Sequence, residues 1–591
     1  MTVRIRNKIF LFFFIVQSVS ILAQNAVIKT VDIQGNKYFD KNQYLNWVGI
    51  NINQRIFPGI TDTIKSRISL NLIKNGFHFF EIQRVETDSL DSASVKIRIE
   101  VKEDNPTEIS EIQFVDIDSA DIPFLQSSFE FLKGEILTQH DFELAVNGVL
   151  DHFEENGYPF TKVIIKSVIL NKDSVNQKNF AVIKLAVEKG NLSRIDKIDI
   201  RGNTFTNENV IIRELRISKG EIYSQKRIDE FPKRINRLRF FEPVTTPQYY
   251  INSKGEGVLV IEVKEKQTNN FDGIIGYIPG TKENEKGYLT GLINISLRNL
   301  FGTGRAAALR WNKFGRNSQE LELKYLEPWL FNFPFNIGLN LFQRIQDTTY
   351  VQRKFNGEIE YLATEDISAS LILGTESVIP SERTIPVFTV FNSSIVTTGL
   401  NLKIDTRDDP YSPTSGLLFI NSYSFSRKTI NGPLQFITPS IKTKLDLQRI
   451  AFDFDIFFNF FARQVLAFSV NGRELRGPSF ENSDLFRLGG TSTLRGYREE
   501  QFLGSRILWT NFEYRFLLTR RTFAFVFFDT GYYLRNAEVE RNILKAEDFL
   551  YGYGLGLNLE TGLGILAVSF ALGQGDSFTD GKIHFGLVNE F

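Results

Sequence analysis

Hydrophobic and polar positions follow two rhythms along this chain. Up to about Lys266, short β-branched strands alternate with stretches of helical period; after Asn269 the helical period disappears and two-residue alternation takes over, broken by Gly, Asn, Asp, Ser and Pro. The first region repeats itself every roughly eighty residues. Val95-Lys-Ile-Arg-Ile-Glu-Val-Lys-Glu103, Ala181-Val-Ile-Lys-Leu-Ala-Val-Glu188 and Gly257-Val-Leu-Val-Ile-Glu-Val-Lys-Glu265 each close a unit with a half-buried strand bounded by charge. Val31-Asp-Ile-Gln-Gly-Asn36 and Ile198-Asp-Ile-Arg-Gly-Asn203 open units with a strand, a Gly-Asn turn and a polar helix start. Lys133-Gly-Glu-Ile136 echoes Lys219-Gly-Glu-Ile222, and Asn75-Gly-Phe77 echoes Asn156-Gly-Tyr158. The predicted unit is β-α-α-β-β, placed at 25–104, 105–190 and 191–266. The middle copy opens on Ile112-Gln-Phe-Val115 without the Gly-Asn turn, so the period, the Lys-Gly-Glu-Ile match and its last strand assign it.

The second region, 268–591, reads as a transmembrane antiparallel β-barrel. In Tyr551-Gly-Tyr-Gly-Leu-Gly-Leu-Asn-Leu-Glu560, the residues Tyr551, Tyr553, Leu555, Leu557 and Leu559 share one face, opposite Gly552, Gly554, Gly556, Asn558 and Glu560. Leu508, Phe512, Tyr514 and Phe516 stand in the same way opposite Trp509, Asn511, Glu513 and Arg515. Lipid takes the apolar face. A soluble sandwich alternates too, but rarely needs so many aromatics over so many strands. At ~20 residues per strand and turn the region holds about sixteen strands, an even number that closes without an edge.

Composition supports strands as the membrane-crossing elements. There are 55 Phe and 19 Tyr, and no internal stretch is long and apolar enough for a membrane helix. Lys+Arg and Asp+Glu both number 69, so charge names no nucleic acid or acidic substrate as partner. The absence of cysteine excludes disulfides, thiolate metal sites and cysteine nucleophiles. His78, His140, His152 and His584 fall at no metal-ligand spacing, and no Gly-x-Ser-x-Gly elbow or phosphate-binding glycine loop is present, so neither a cofactor nor an enzyme activity is expected. Residues 1–23, with Arg4, Arg6 and Lys8 ahead of an apolar run and Ala23 at its end, read as a secretory signal peptide; the run is too short for a spanning anchor.

The repeats resemble polypeptide-transport-associated (POTRA) domains. Leu488-Gly-Gly-Thr-Ser-Thr-Leu-Arg-Gly-Tyr497 resembles the sixth extracellular loop of the BamA/TamA superfamily of outer-membrane assembly and translocation barrels. In that family the loop folds back into the barrel and its arginine is held by acids of late strands. The resemblance implies a loop lock of Arg495, Gly496 and Tyr497 with Asp529, in Phe527-Phe-Asp-Thr-Gly531, and Glu513. The chemistry is sound on its own terms: a confined guanidinium forks onto a carboxylate, and partial desolvation strengthens the attraction. Strict alternation puts Phe523, Phe525 and Phe527 in the lumen beside Asp529, so either a bulge shifts the register or the rings form an apolar bed under the loop.

Asn299-Leu-Phe-Gly-Thr-Gly304, Tyr325-Leu-Glu-Pro-Trp329 and Asp405-Thr-Arg-Asp-Asp-Pro410 extend the resemblance as ordered turns. His584, Gly586 and Phe591 match the terminal-strand signal of outer-membrane barrels, with Asn589 where an apolar residue is usual. Three repeats look more like TamA than BamA. The resemblance implies an outer-membrane factor with periplasmic POTRA domains that assembles or translocates unfolded outer-membrane proteins. Client or partner would add to exposed strand edges, and the barrel would open between its last strand and its first, near Phe271 to Tyr277. A large β-rich periplasm-spanning partner of the TamB kind and outer-membrane lipid are further implied partners. Secretion of a dedicated passenger, lipid transport and a passive porin are the alternatives.

Overall fold

The computed structural model describes residues 26–173, 177–278, 286–381, 388–410, 412–537, 544–561 and 564–588; the expected leader at 1–23, Asn589 and Phe591 lie outside the described residues. Two compact units emerge: Met1–Ile198 with Ser218–Asp229 and Tyr249–Leu259, and Asp199–Ile217 with Glu230–Gln248 and Val260–Phe591.

In the first unit, strands Val27–Gln34, Glu81–Ser89 and Ser94–Lys102 and helices Lys41–Val48 and Ile60–Lys74 form one repeat. The last strand lies centrally, parallel to the first and antiparallel to the second. Ile60, Ile64, Ile68 and Leu72, four residues apart, make the buried stripe of the longer helix against Ile97 and Ile99. The second repeat has the same order: Thr107–Phe114, helices Ile122–Phe129 and Gln139–Glu155, then Lys162–Asp173 and Lys178–Glu188.

Repeated sequence elements prove to be joints. The Gly76 carbonyl accepts from the Thr107 N–H and the Gly157 carbonyl from the Ser193 N–H, both at 2.8 Å. A Cβ on Gly76 would come 2.3 Å from Ile136, and one on Gly157 would come 2.7 Å from Ile222. The Asn-Gly-aromatic and Lys-Gly-Glu-Ile matches are therefore two halves of one contact, used twice. Glu103 stabilises the turn after the first strand by accepting from the Lys37 and Tyr38 N–H groups and the Tyr44 hydroxyl. Lys189 occupies the equivalent place after the last strand of the second repeat and pairs with Asp121 at 2.7 Å. That exchange accompanies the missing Gly-Asn turn.

In the part of the third repeat that belongs to the second unit, the acid returns. Glu265 accepts from the Thr204, Phe205 and Thr206 N–H groups and the Thr204 hydroxyl. Burial pushes its carboxyl upward, but the threonine hydroxyls and backbone N–H groups outweigh that and hold it down at about 2. A Cβ on Gly202 would fall 1.9 Å from the Val263 carbonyl oxygen, which is why glycine starts this turn at φ 90°.

Among the described residues the remainder holds one sixteen-stranded antiparallel sheet in which each strand pairs with the next strand of that sheet. Its strands are β1 Asn270–Ile278, β2 Tyr288–Leu300, β3 Arg305–Lys313, β4 Gln319–Glu327, β5 Phe335–Gln346, β6 Tyr350–Leu362, β7 Ile367–Pro380, β8 Asn392–Asp405, β9 Gly416–Gly432, β10 Lys444–Phe461, β11 Gln464–Arg476, β12 Arg506–Leu517, β13 Phe523–Arg535, β14 Ala546–Thr561, β15 Gly564–Gly573 and β16 Lys582–Val588. Leu508, Phe512, Tyr514 and Phe516 on β12 and Tyr553, Leu555 and Leu557 on β14 face outward, whereas Trp509, Phe523, Phe525 and Phe527 are buried. Among the described residues no helix is long and apolar enough to cross a membrane, and no ladder joins β1 to β16.

The three family-like turns all seat parts of the third repeat. Asn299 donates to Thr206 Oγ1 at 2.8 Å, and Gly302 accepts from the Asn207 N–H at 2.8 Å while its bare Cα approaches the Phe205 carbonyl. Trp329 Nε1 donates to Glu214 at 2.7 Å. Arg239 pairs with Asp409, both side chains 4 % exposed.

Candidate functional site

The loop between β11 and β12, residues 477–505, folds into the sheet's interior around a short hairpin of Phe486–Leu488 and Phe502–Gly504. Gly489 and Gly490, at φ 115° and 99°, turn the chain after Leu488, and the Gly490 N–H donates to the Leu494 carbonyl. The turn delivers Arg495 to the late-strand wall.

Arg495 is 7 % exposed and Asp529 0 %. Nε and Nη2 of Arg495 reach the two oxygens of Asp529 at 2.8 and 2.7 Å, a bidentate fork, and Nη1 reaches Glu513 at 2.6 Å. The Arg495 N–H also donates to Asp529. Arg515 binds the other oxygen of Glu513 at 2.8 Å, so two cations and two carboxylates alternate along the wall. That balance offsets the cost of burying four charges.

The aromatic puzzle resolves as a bed. Between β12 and β13, and between β13 and β14, the register runs without a shift, Asn511 opposite Asp529 and Phe527 opposite Gly554. Phe523, Phe525 and Phe527 therefore do point inward. The Arg495 guanidinium lies 3.7 Å from the centroid of Phe527, and that of Arg515 4.9 Å from Phe523. Gly554 and Gly556 leave the space those rings fill.

Backbone contact completes the seat. At Gly552 a Cβ would fall 2.0 Å from the Arg495 carbonyl oxygen; at Gly496, where φ is 94°, one would fall 2.7 Å from Gly573 and Leu572. The Tyr497 hydroxyl donates to the Tyr551 carbonyl and accepts from the Gln574 N–H, each at 3.1 Å. The Gly496 N–H donates to His584 Nε2 at 3.1 Å.

The loop also reaches the opposite wall. Glu500 binds Arg487 at 2.6 Å and Arg344 of β5 at 2.7 Å, and Arg487 donates to the Tyr350 hydroxyl of β6. Near the loop's start, Glu481 and Asp484 hold the fully buried Lys428 of β9 at 2.6 and 2.7 Å. One loop thus touches early, middle and late strands, which requires the sheet to curl around it.

Arg495, Gly496, Tyr497, Glu513 and Asp529 converge as expected from sequence, and His584, read there as part of a terminal signal, joins them. Gly586 lies two residues farther along β16. Sequence reading missed Arg515, Phe527 as a stacking partner, Gly552 and Gly573, and the Glu500–Arg344 contact. Arg515 shares the face of Glu513 by strand parity, which was the available signal; Glu500 and Arg344 are 156 residues apart and left none.

Residues 299–591 match the Omp85 superfamily domain, and residues 193–266 match a POTRA model described as a surface antigen variable number repeat. The chain is 23 % identical over 398 residues to the outer membrane protein assembly factor BamA of Nitratidesulfovibrio vulgaris, covering 62 % of this chain and 46 % of that protein. With BamA of Buchnera aphidicola it shares 23 % identity over 296 residues, 47 % of this chain and 45 % of the relative. It therefore spans less than half the length of these curated relatives. The fold is similar to the crystal structure of BamA from Haemophilus ducreyi lacking POTRA domains 1–3, with a TM-score of 0.50 and 16 % identity over 81 % of this chain and 98 % of that one. Residues 299–591 thus form an Omp85 superfamily domain, an outer-membrane β-barrel, and the repeat at 193–266 is a POTRA domain.

Proposed function

We propose that this chain assembles or translocates unfolded outer-membrane polypeptides, without covalent chemistry: its periplasmic repeats capture an extended segment and its barrel passes that segment through the β1–β16 seam. The observation that carries the reading is the edge strand Lys162–Asp173 of the second repeat. Among the described residues it is paired on one side only, with Ile165, Val168, Ile169 and Leu170 exposed along its twelve residues. Such an edge offers backbone donors and acceptors to an incoming strand and apolar contact to its alternate side chains. The counterpart in the first repeat, Glu81–Ser89, carries mostly polar side chains, and that in the third, Gln248–Ile251, has four residues. The names of the curated relatives, outer membrane protein assembly factors, support the same reading.

The finer assignment is to a TamA-like member, on the strength of three repeats, with a TamB-like β-rich partner and outer-membrane lipid as a second cargo. Photo-crosslinking in cells from Ile169 tests both levels. Capture of unfolded barrel precursors supports assembly, and capture of one large β-rich periplasmic protein supports the finer form. Depletion that leaves outer-membrane protein and lipid levels normal while small-solute uptake falls would sink both.

A further inference from the structure

Beside the ion pairs that hold Arg495, a separate contact joins the loop tip to the last strand through His584. His584 is 8 % exposed, on the inner face of β16, and its Nε2 accepts the Gly496 N–H, so that nitrogen carries no proton. Its Nδ1 lies 3.5 Å from the Thr491 hydroxyl. Two residues along the same face, a Cβ on Gly586 would lie 3.3 Å from the Thr491 methyl. Two points of the loop, Thr491 and Gly496, thus rest on the last strand. Among the described residues β16 pairs with β15 alone, over seven positions from Ile565↔Val588 to Ala571↔Lys582. A short strand held by one ladder has few other constraints, so one hydrogen bond from inside is a substantial part of what fixes it.

We propose that His584 is a positioning residue that ties the tip of the inward loop to the last strand, so that the lock and the β16 side of the seam move together. The tie is geometric and independent of what the barrel transports; its consequence for seam opening rests on the proposed function. Lifting Arg495 from Asp529 and Glu513 carries Gly496 away from His584 and frees β16. While the loop stays seated, β16 is held.

The full chain has no cysteine, so Thr491→Cys with Gly586→Cys gives a crosslink read without background in intact outer membranes. His584→Gln places an amide oxygen near the position of Nε2; His584→Asn carries the same amide one methylene short. With Gln the disulfide yield should stay near that of the parent pair, and with Asn it should fall about three- to tenfold, the effect of one lost hydrogen bond. Heat-modifiable migration on a gel confirms that each variant is folded. Equal yields from Gln and Asn, or a fall with both, would overturn the proposal. Client assembly measured in the same strains reports separately on the proposed function, since the yields can differ as expected whether or not assembly does.

Discussion

Phe527 lies directly across from Gly554 in the β13–β14 register, and a Cβ on that glycine would come 2.8 Å from the ring's Cζ. The same relation holds two pairs along, where Phe525 faces Gly556 and a Cβ on that glycine would fall 2.4 Å from the ring. The glycines of β14 are therefore spaces shaped for aromatic side chains of β13, and those rings carry the guanidinium groups above them. Gly552, the third in the row, takes the backbone of Arg495 instead.

Gly552→Val is expected to lift the loop tip from the wall, because the added carbons meet a backbone carbonyl that cannot rotate aside. Overpacking of this kind costs about 1–3 kcal/mol. Limited trypsin digestion in membranes should then cut at Arg498, beside the displaced tip, faster than in the parent chain, while the barrel still shows its folded gel band. An unchanged rate would mean that the tip is not seated by this contact.

Arg495→Ala and Asp529→Ala should each impair function, and the double variant should be no worse than either. Asp529 takes the two-pronged half of the guanidinium, whereas Glu513 keeps Arg515 when Arg495 is gone. Breaking a buried pair by removing one partner costs roughly 3–5 kcal/mol, and removing the second adds little. Arg495→Lys should not rescue, since a point charge cannot fork. Fully additive losses in a complementation assay would show that the two do not act as a pair.

How far the sequence reached depended on whether a feature was local. Alternation on β12 and β14 and the ends of the repeats are local, and the faces they imply are the faces observed. The convergence of Arg495, Glu513 and Asp529 was legible through a motif and strand parity. Parity alone could not choose between a bulge and an aromatic bed near Asp529, because the deciding fact is the pairing of Phe525 and Phe527 with glycines of another strand. Nor could it place His584: its contact with Gly496 spans 88 residues and follows from the sheet curling around the loop. The turns at Asn299–Gly304, Tyr325–Trp329 and Asp405–Pro410 looked alike as turns. Their shared role in seating the third repeat shows only when their partners in that repeat are in view.

Glu265 gives a dependence on pH. Its carboxyl is depressed in the fold, to about 2 against roughly 4.3 in an unfolded chain. A depressed acid contributes stability that is fully present above the unfolded value and is lost as pH falls through the folded one. The third repeat should therefore weaken between about pH 5 and pH 2. Glu265→Gln should remove that part of the acid sensitivity and cost about 1.5–3 kcal/mol at neutral pH, the range for hydrogen bonds to a charged group. Hydrogen exchange at Thr204 to Thr206 across this range checks it; identical acid profiles for the parent and Gln chains would refute it.

Asp409 and Arg239 should respond unequally to substitution. Asp409 Oδ1 holds Arg239, and its other oxygen lies 3.2 Å from Arg521, so two guanidinium groups converge on one carboxylate. The Ser412 N–H donates to it as well. Arg239→Met leaves Asp409 with Arg521 and that N–H, and its long apolar stem preserves much of the packing. Asp409→Ala instead takes the shared carboxylate from two guanidinium groups at once, one of them, Arg239, almost wholly buried, and removing the acid of a buried pair is the expensive outcome. The aspartate variant should therefore be the worse by about 1–3 kcal/mol, the penalty of a buried polar group that loses its partner. Thermal loss of the folded gel band, read for both variants against the parent, measures the difference. Equal losses would mean that Arg521 does not share the carboxylate, and that this turn is joined to the third repeat by a simple pair.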